Sequence, residues 1–198
     1  MELSTLIGFA VFAMTAAMTP GPNNIMLTSS GATFGFRRTI PHMVGIAVGF
    51  SVLATAGGFG LATLFAFMPL LFPVMKIISI GFLLYLAWKI ANSGRVGKQE
   101  AAAPLTLWQA AAFQIVNPKT MAVIISAVST YTSGVENLPI EVTQIVLIFL
   151  IATVCSTSTW CLFGAAIGRL LTKETHLKLF NLLMALLLLG SMFPILTT

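Results

Sequence analysis

Two short polar interruptions stand inside otherwise apolar runs: Thr19-Pro20-Gly21-Pro22-Asn23-Asn24 and Asn117-Pro118-Lys119. Proline removes a backbone donor and prevents an unbroken helix, and Gly21 loosens the chain between the two prolines of the first run. The chemistry of such a break follows from the ends it frees. Proline suits the first position of a restarted helix, where its missing N–H would be unused. The next N–H groups point into the gap with a partial positive charge, which suits a carboxylate. The preceding half-helices end in free carbonyls, near Ala17 to Thr19 and Ile115 to Asn117, and these suit an ammonium group. Asn23, Asn24 and Asn117 add amides that both donate and accept, and Gln114 lies one turn before the second break. One carboxylate and one ammonium describe a zwitterionic α-amino acid. Lys119 is the one charge inside its apolar segment. A cation in a membrane costs at least about 2.5–3.5 kcal/mol and marks function, unless it snorkels to the aqueous edge. The sharper expectation is that the second break, with Lys119, takes the carboxylate and the opening motif takes the ammonium.

All of this requires the breaks to lie within a bilayer, and composition supplies that condition. Of 198 residues, 58% are hydrophobic and 8% charged, with no aspartate and five glutamates: Glu2, Glu100, Glu136, Glu141 and Glu174. Charge-free runs cover 3–36, 39–75, 101–118, 120–135, 142–168 and 179–198. A water-soluble fold of this size has too little polar surface to carry so much apolar sequence. The expected class is all-α, a polytopic membrane protein. The net charge of +5 does not indicate nucleic acid, because the ten Lys and Arg flank apolar segments without interleaved aromatics. Glu2 stands where a cleaved leader would carry a base, so the first segment reads as retained.

The elements that must position the breaks follow from the same pattern. Apolar segments run over about 3–34, 41–67, 74–90, 105–131, 142–168 and 179–196, the first and fourth being interrupted. Pro69 and Pro73 make the second turn, and Tyr85 and Trp88 sit near the end of the third segment as interface residues. Loops one, three and five hold Arg37 and Arg38, then Lys89, Arg95 and Lys98, then Arg169, Lys173 and Lys178. Loops two and four hold Lys76 at an edge and the acidic pair Glu136 and Glu141. The positive-inside rule then gives six spans with both termini outside. Three spans per half make the halves opposite in orientation: 1–98 and 99–198, two inverted repeats with broken helices one and four. Paired Pro-interrupted segments at corresponding positions point to a transporter site. As plain kinks, each proline alone would be tolerated in a membrane helix.

Other residues are weighed against that frame. His42 is a titratable candidate for proton coupling, or else a histidine at the membrane interface. Gly31/Gly35, Gly45/Gly49 and Gly164/Gly168 are small-residue pairs that let helices approach closely. The hydroxyls of Ser51/Thr55, Ser126/Ser129 and the run Ser156-Thr157-Ser158-Thr159 either bond back to their own helix or line a cavity, and packing is the favoured reading. Cys155 and Cys161 lie on different helix faces and away from the breaks, so a thiol relay is not expected. No Cys, His or carboxylate cluster suits a metal, and no nucleophile–base set or nucleotide loop suits an enzyme. No cofactor is expected. The alternatives to a transporter are a non-transporting membrane scaffold and, further off, a redox or metal carrier. The oligomeric state, a homodimer included, is left open.

At these residues the chain resembles the LysE/RhtB family of amino-acid exporters. The resemblance rests on Pro20-Gly21-Pro22-Asn23, Gly35-Phe36-Arg37, Gly45, Gly49, the stretch Gly81 to Lys89 and Asn117-Pro118-Lys119. The run AMTPGPNNIM and Ala127 to Tyr131 look most like the branch that exports cysteine and O-acetylserine. The resemblance implies a six-helix protein of the bacterial inner membrane that exports amino acids, driven by the proton gradient. One departure bears on the substrate: no carboxylate lies inside any span. A lysine or arginine substrate would leave its second cation uncompensated, so a small neutral amino acid is expected. Proton coupling likewise lacks the usual acidic relay.

Overall fold

The computed structural model describes residues 1–61, 70–93, 103–133, 136–171 and 173–191. Within them the regular structure is helical. The elements are α1 (Leu3–Met18), α2 (Pro22–Phe34), α3 (Phe36–Ala56, continued by a π turn over Gly57–Leu61), α4 (Leu71–Ala91), α5 (Leu107–Val116), α6 (Pro118–Tyr131), α7 (Leu138–Leu170) and α8 (Glu174–Gly190). Both anticipated breaks are real. α1 and α2 bend by 56° across residues 19–21, and α5 and α6 bend by 65° at Asn117. Pro22 and Pro118 open α2 and α6 as first helical residues. α5 is set by a capping box: the Thr106 hydroxyl accepts from Gln109 N–H at 3.3 Å, and Gln109 Oε1 accepts from Thr106 N–H at 3.1 Å.

Three stretches are individually long and apolar enough to cross a membrane: Phe36–Gly60, Pro73–Ala91 and Leu138–Leu170. Each bent pair, taken as one span, raises the number to five. α8, in the sixth anticipated span, has 17 residues. Its expected continuation to residue 196 lies outside the described residues, as do the end of the second segment at Phe67, the turn at Pro69, and Arg95, Lys98 and Glu100 of the third loop.

Four helices begin ahead of their apolar runs, while α5 begins two residues inside its own. α3 begins at Phe36 rather than 41, α4 at Leu71 through Pro73, α7 at Leu138 and α8 at Glu174. Hydropathy marks the lipid-facing length, whereas a helix continues until a breaker or cap stops it. Pro73 and Pro139 fall in first turns, where the N–H a proline lacks has no partner, whereas Pro41 lies inside α3 and leaves one carbonyl of its first turn without a helical donor. The 33 residues of α7 span about 50 Å at 1.5 Å each, well beyond the ~30 Å hydrocarbon layer.

Close packing follows the glycines. An ideal Cβ on Gly164 would sit 2.0 Å from the Thr28 carbonyl oxygen, one on Gly168 2.3 Å from that of Ala32, and one on Gly31 2.2 Å from that of Cys161. These contacts seat α2 along α7, in parallel. Gly45 and Gly49 do the same between α3 and α5, with Leu107 O and Ala111 O at 2.3 and 2.6 Å from the would-be methyls. Gly35 is the exception. Nothing lies within 4 Å of its Cβ position, and its φ of +79° turns the chain between α2 and α3.

α4 packs on α8, and buried Asn181 stitches that pair to α2. Its amide donates to Ser93 O at 3.0 Å and Thr33 Oγ1 at 3.1 Å, and its carbonyl accepts from Ser29 at 3.1 Å. Removing it strands these groups away from water, at about 1–3 kcal/mol for a buried unsatisfied partner. Asn181→Ala is therefore expected to lower the melting temperature in detergent, and an unchanged melt would remove this role.

The bundle has two chemically distinct ends. The Met1 ammonium donates to Gln144 Oε1 at 3.0 Å, which puts Glu2 and Glu141 at one end. Arg37, Arg38, Lys89, Arg169, Lys173 and Lys178 follow or begin helices at the other end, where Ser93 meets Asn181.

Candidate substrate site

Both breaks open on one cavity of about 60 Å³. Gly21, Asn23 and Asn24 line it from the first break, and Asn117, Lys119 and Thr120 from the second. α3 contributes Ile46 and Phe50, and α7 contributes Phe149, Thr153, Ser156 and Thr157.

The polar groups are organised by the helix ends. Asn23 and Gln114 exchange hydrogen bonds across the breaks, Nδ2 to Oε1 at 2.8 Å and Nε2 to Oδ1 at 3.2 Å. Gln114, fully buried, also donates to Ala110 O at 2.9 Å and accepts from Thr120 at 3.1 Å. It does not line the cavity but holds Asn23 and Thr120 in place. Asn117 Oδ1 caps α6 by accepting from Lys119 N–H at 3.1 Å.

The carbonyls at the end of α1 are taken. Ala17 O accepts from Asn24 Nδ2 at 3.0 Å and from Ser156 Oγ at 2.7 Å. Thr19 O accepts from Asn24 Nδ2 at 2.9 Å and from the Lys119 ammonium. The Lys119 side chain lies so close to Gly21 that an added Cβ would be 2.9 Å from its Cδ. Glycine at 21 thus leaves the room the lysine side chain occupies, and an added Cβ would displace that side chain; its extended φ of −173° is open to any residue. Among the described residues the lining holds one cation, two helix N-termini and no carboxylate. Its electrostatic preference is for an anionic group beside a site for a cation.

A family profile described as "LysE type translocator" matches residues 14–195. The chain belongs to the LysE family of translocators. It is similar to proteins named "Cysteine/O-acetylserine efflux protein". That of Escherichia coli is 32% identical over 192 residues, 95% of each chain. That of Klebsiella pneumoniae is 31% identical over 170 residues, 84% of this chain and 85% of its own. No solved structure matches. Membership makes the translocator a multi-pass membrane transporter rather than an enzyme.

Of the residues singled out from the sequence, Gly21, Asn23, Asn24, Asn117 and Lys119 meet in the translocator's cavity. Pro20, Pro22 and Pro118 shape the two breaks, and Gln114 braces them. His42 is not brought to this cavity. It is buried, neither ring nitrogen has a partner among the described residues, and it faces a separate cavity nearer the basic end. Cys155 is exposed and Cys161 buried, both as free thiols.

Sequence reading missed Thr120, Phe149, Thr153, Ser156 and Thr157. The Ser/Thr run of the fifth segment had been assigned to packing, which holds for Thr159, bonded back to Cys155 O at 2.8 Å. Phe149, Thr153 and the pair Ser156/Thr157 recur at four and then three to four residues, one face of α7. That periodicity was the available signal.

Proposed function

We propose that the translocator is a secondary exporter of small neutral α-amino acids, cysteine and O-acetylserine among them, across the bacterial inner membrane. The observation that carries this is the meeting of both breaks, about half the chain apart in sequence, on one cavity with no carboxylate among the described residues of its lining. The efflux function named for the similar proteins points the same way. At about 10–15 Å³ for each water-sized group, 60 Å³ takes roughly four to six of them. That is the scale of a small amino acid.

In this reading the substrate carboxylate lies between the N-termini of α2 and α6, beside Lys119. The ammonium goes to the carbonyl of Thr19, near the rings of Phe50 and Phe149. Lys119 occupies the Thr19 carbonyl in the empty site, and the incoming ammonium displaces it towards the carboxylate. Recognition of one end of the zwitterion thereby frees the partner for the other.

The wider architecture in this reading is six spans in two inverted repeats, 1–98 and 99–198, with the basic end cytoplasmic and both termini outside. The packing supports it. The second helix of each half lays its glycine pair on the broken helix of the other half: α3 on α5, and α7 on α2. Rocking of the halves about the breaks would alternate access. The proton gradient supplies the energy, with His42 the proton-coupling candidate acting from outside the central cavity.

Counterflow of labelled cysteine and O-acetylserine into proteoliposomes tests the function, with and without an imposed pH gradient. Absence of uptake for every neutral amino acid tried would remove it. Asn23→Ala, which breaks the exchange with Gln114, is expected to slow counterflow about tenfold through a lost and unsatisfied buried hydrogen bond. If the breaks only shaped packing, the variant would lose assembled protein while the remaining molecules transported normally.

A further inference from the structure

The buried His42 has no partner for either ring nitrogen among the described residues, an arrangement that calls for water or a ligand. It faces a second cavity, of about 40 Å³, at the basic end of the bundle. The half-buried Lys89 also lines it, with no hydrogen bond or ion pair on its ammonium among the described residues. The nearby hydroxyls are already engaged: Ser29 donates to Asn181 at 3.1 Å, Ser30 is 2.9 Å from Thr39 Oγ1, and Ser93 donates to Lys89 O at 2.8 Å. What the cavity offers a visitor, among the described residues, is therefore one free ammonium and one free imidazole, with no carboxylate in the lining. That combination suits a carboxylate on Lys89, and the neutral imidazole can still accept from an adjacent ammonium.

Its position gives the binding a purpose. His42, Ile46 and Phe50 recur every four residues on one face of α3. His42 lines this cavity, while Ile46 and Phe50 line the central one. On α2, Asn23 lines the central cavity, and Met26 three residues on lines the second. The two cavities are stacked along the same helix faces. Between them stand the buried side chains of Met26 and Ile46, members of one apolar cluster.

We propose that the His42–Lys89 cavity is a second binding site for the amino-acid carboxylate, a loading site at the basic end that feeds the central cavity past Met26 and Ile46. The proposal rests on the transport reading above. The same chemistry would take the phosphate of an anionic lipid headgroup, and the test separates the two sources.

Inside-out and right-side-out vesicles present labelled, reduced cysteine to the basic and opposite faces in turn. Lys89→Gln and His42→Ala are expected to raise the half-saturating concentration at the basic face about tenfold, as for one charge-assisted hydrogen bond. For Lys89→Gln the maximal rate and the half-saturation from the opposite face stay as in wild type; His42→Ala is read at the basic-face half-saturation alone, because His42 is also the proton-coupling candidate. An unchanged value at the basic face, or an equal rise at both faces, overturns the loading site while leaving transport intact. A wild-type protein that moves no substrate removes the transport reading itself, and the loading site with it.

If the variants fail to assemble, wild type decides alone. The impermeant anion methanesulfonate should compete with cysteine at the basic face only, and competition at both faces or neither overturns the proposal. Repeating the Lys89→Gln comparison in proteoliposomes of neutral lipid distinguishes the headgroup. Persistence of the effect supports the amino-acid carboxylate, and its disappearance assigns the cavity to lipid phosphate.

Discussion

Replacing Lys119 with glutamine is expected to slow counterflow about 10- to 100-fold, the range for losing a hydrogen bond of a charged group. The side chain spans the two breaks, from α6 to the Thr19 carbonyl at the end of α1. Among the described residues no other cation lines the central cavity, so glutamine leaves the carboxylate of a zwitterion with helix N-termini alone. Arginine should not rescue. Its planar fork is broader than an ammonium, and Gly21 already allows the lysine stem no spare room. For the same reason Gly21→Ala should reproduce part of the Lys119→Gln loss. The added methyl would meet the lysine Cδ at 2.9 Å and push the ammonium off Thr19. Initial rates across these three variants, normalised to assembled protein, decide the matter. A glutamine variant at wild-type rate would take Lys119 out of the site.

The second large effect concerns assembly. Gly164→Val is expected to lower the melting temperature by several degrees and to cut transport with it. Even the first added carbon would sit 2.0 Å from the Thr28 carbonyl oxygen. A backbone atom cannot step aside as a side chain can, so α2 and α7 must separate. Overpacking a tight core costs about 1–3 kcal/mol, and this contact is closer than most. Transport should fall too, because α2 carries Asn23 and Asn24 while α7 carries Ser156 and Thr157. Gly8→Ala is the matched control: nothing lies within 4 Å of its Cβ position. In an exposed helix interior alanine is the better residue by about 1 kcal/mol, so no loss is expected there. A Gly164→Val protein that melts like wild type would show that the α2–α7 contact does not limit stability.

Much of this molecule is legible without coordinates. The membrane class, the two broken helices and their proline starts follow from local causes: too few charges for a soluble surface, and residues that cannot continue a helix. Five of the candidate residues do meet in one cavity, and Gln114, one turn from the break, braces it. The small-residue pairs were read correctly as contacts in two of three cases. Gly35 failed because spacing reports which residues share a face, while its actual task depends on a φ of +79°.

What remained hidden was relational. Nothing local to Lys119 says that its ammonium reaches a carbonyl 100 residues earlier in the chain. Nothing local to Ser156 distinguishes a hydroxyl that bonds its own helix from one that bonds Ala17 O of another. Helix-interior serines and threonines satisfy themselves either way, so their partner is chosen by which helix arrives alongside. His42 is the sharpest case. Its sequence neighbours suggest an interface residue, yet the packing of α2, α3 and α4 buries it with both nitrogens unspent. Backbone chemistry and lipid solvent are short-range constraints, and a sequence expresses them directly. Which free carbonyl meets which ammonium depends on close approach between distant helices, and only the assembled fold determines it.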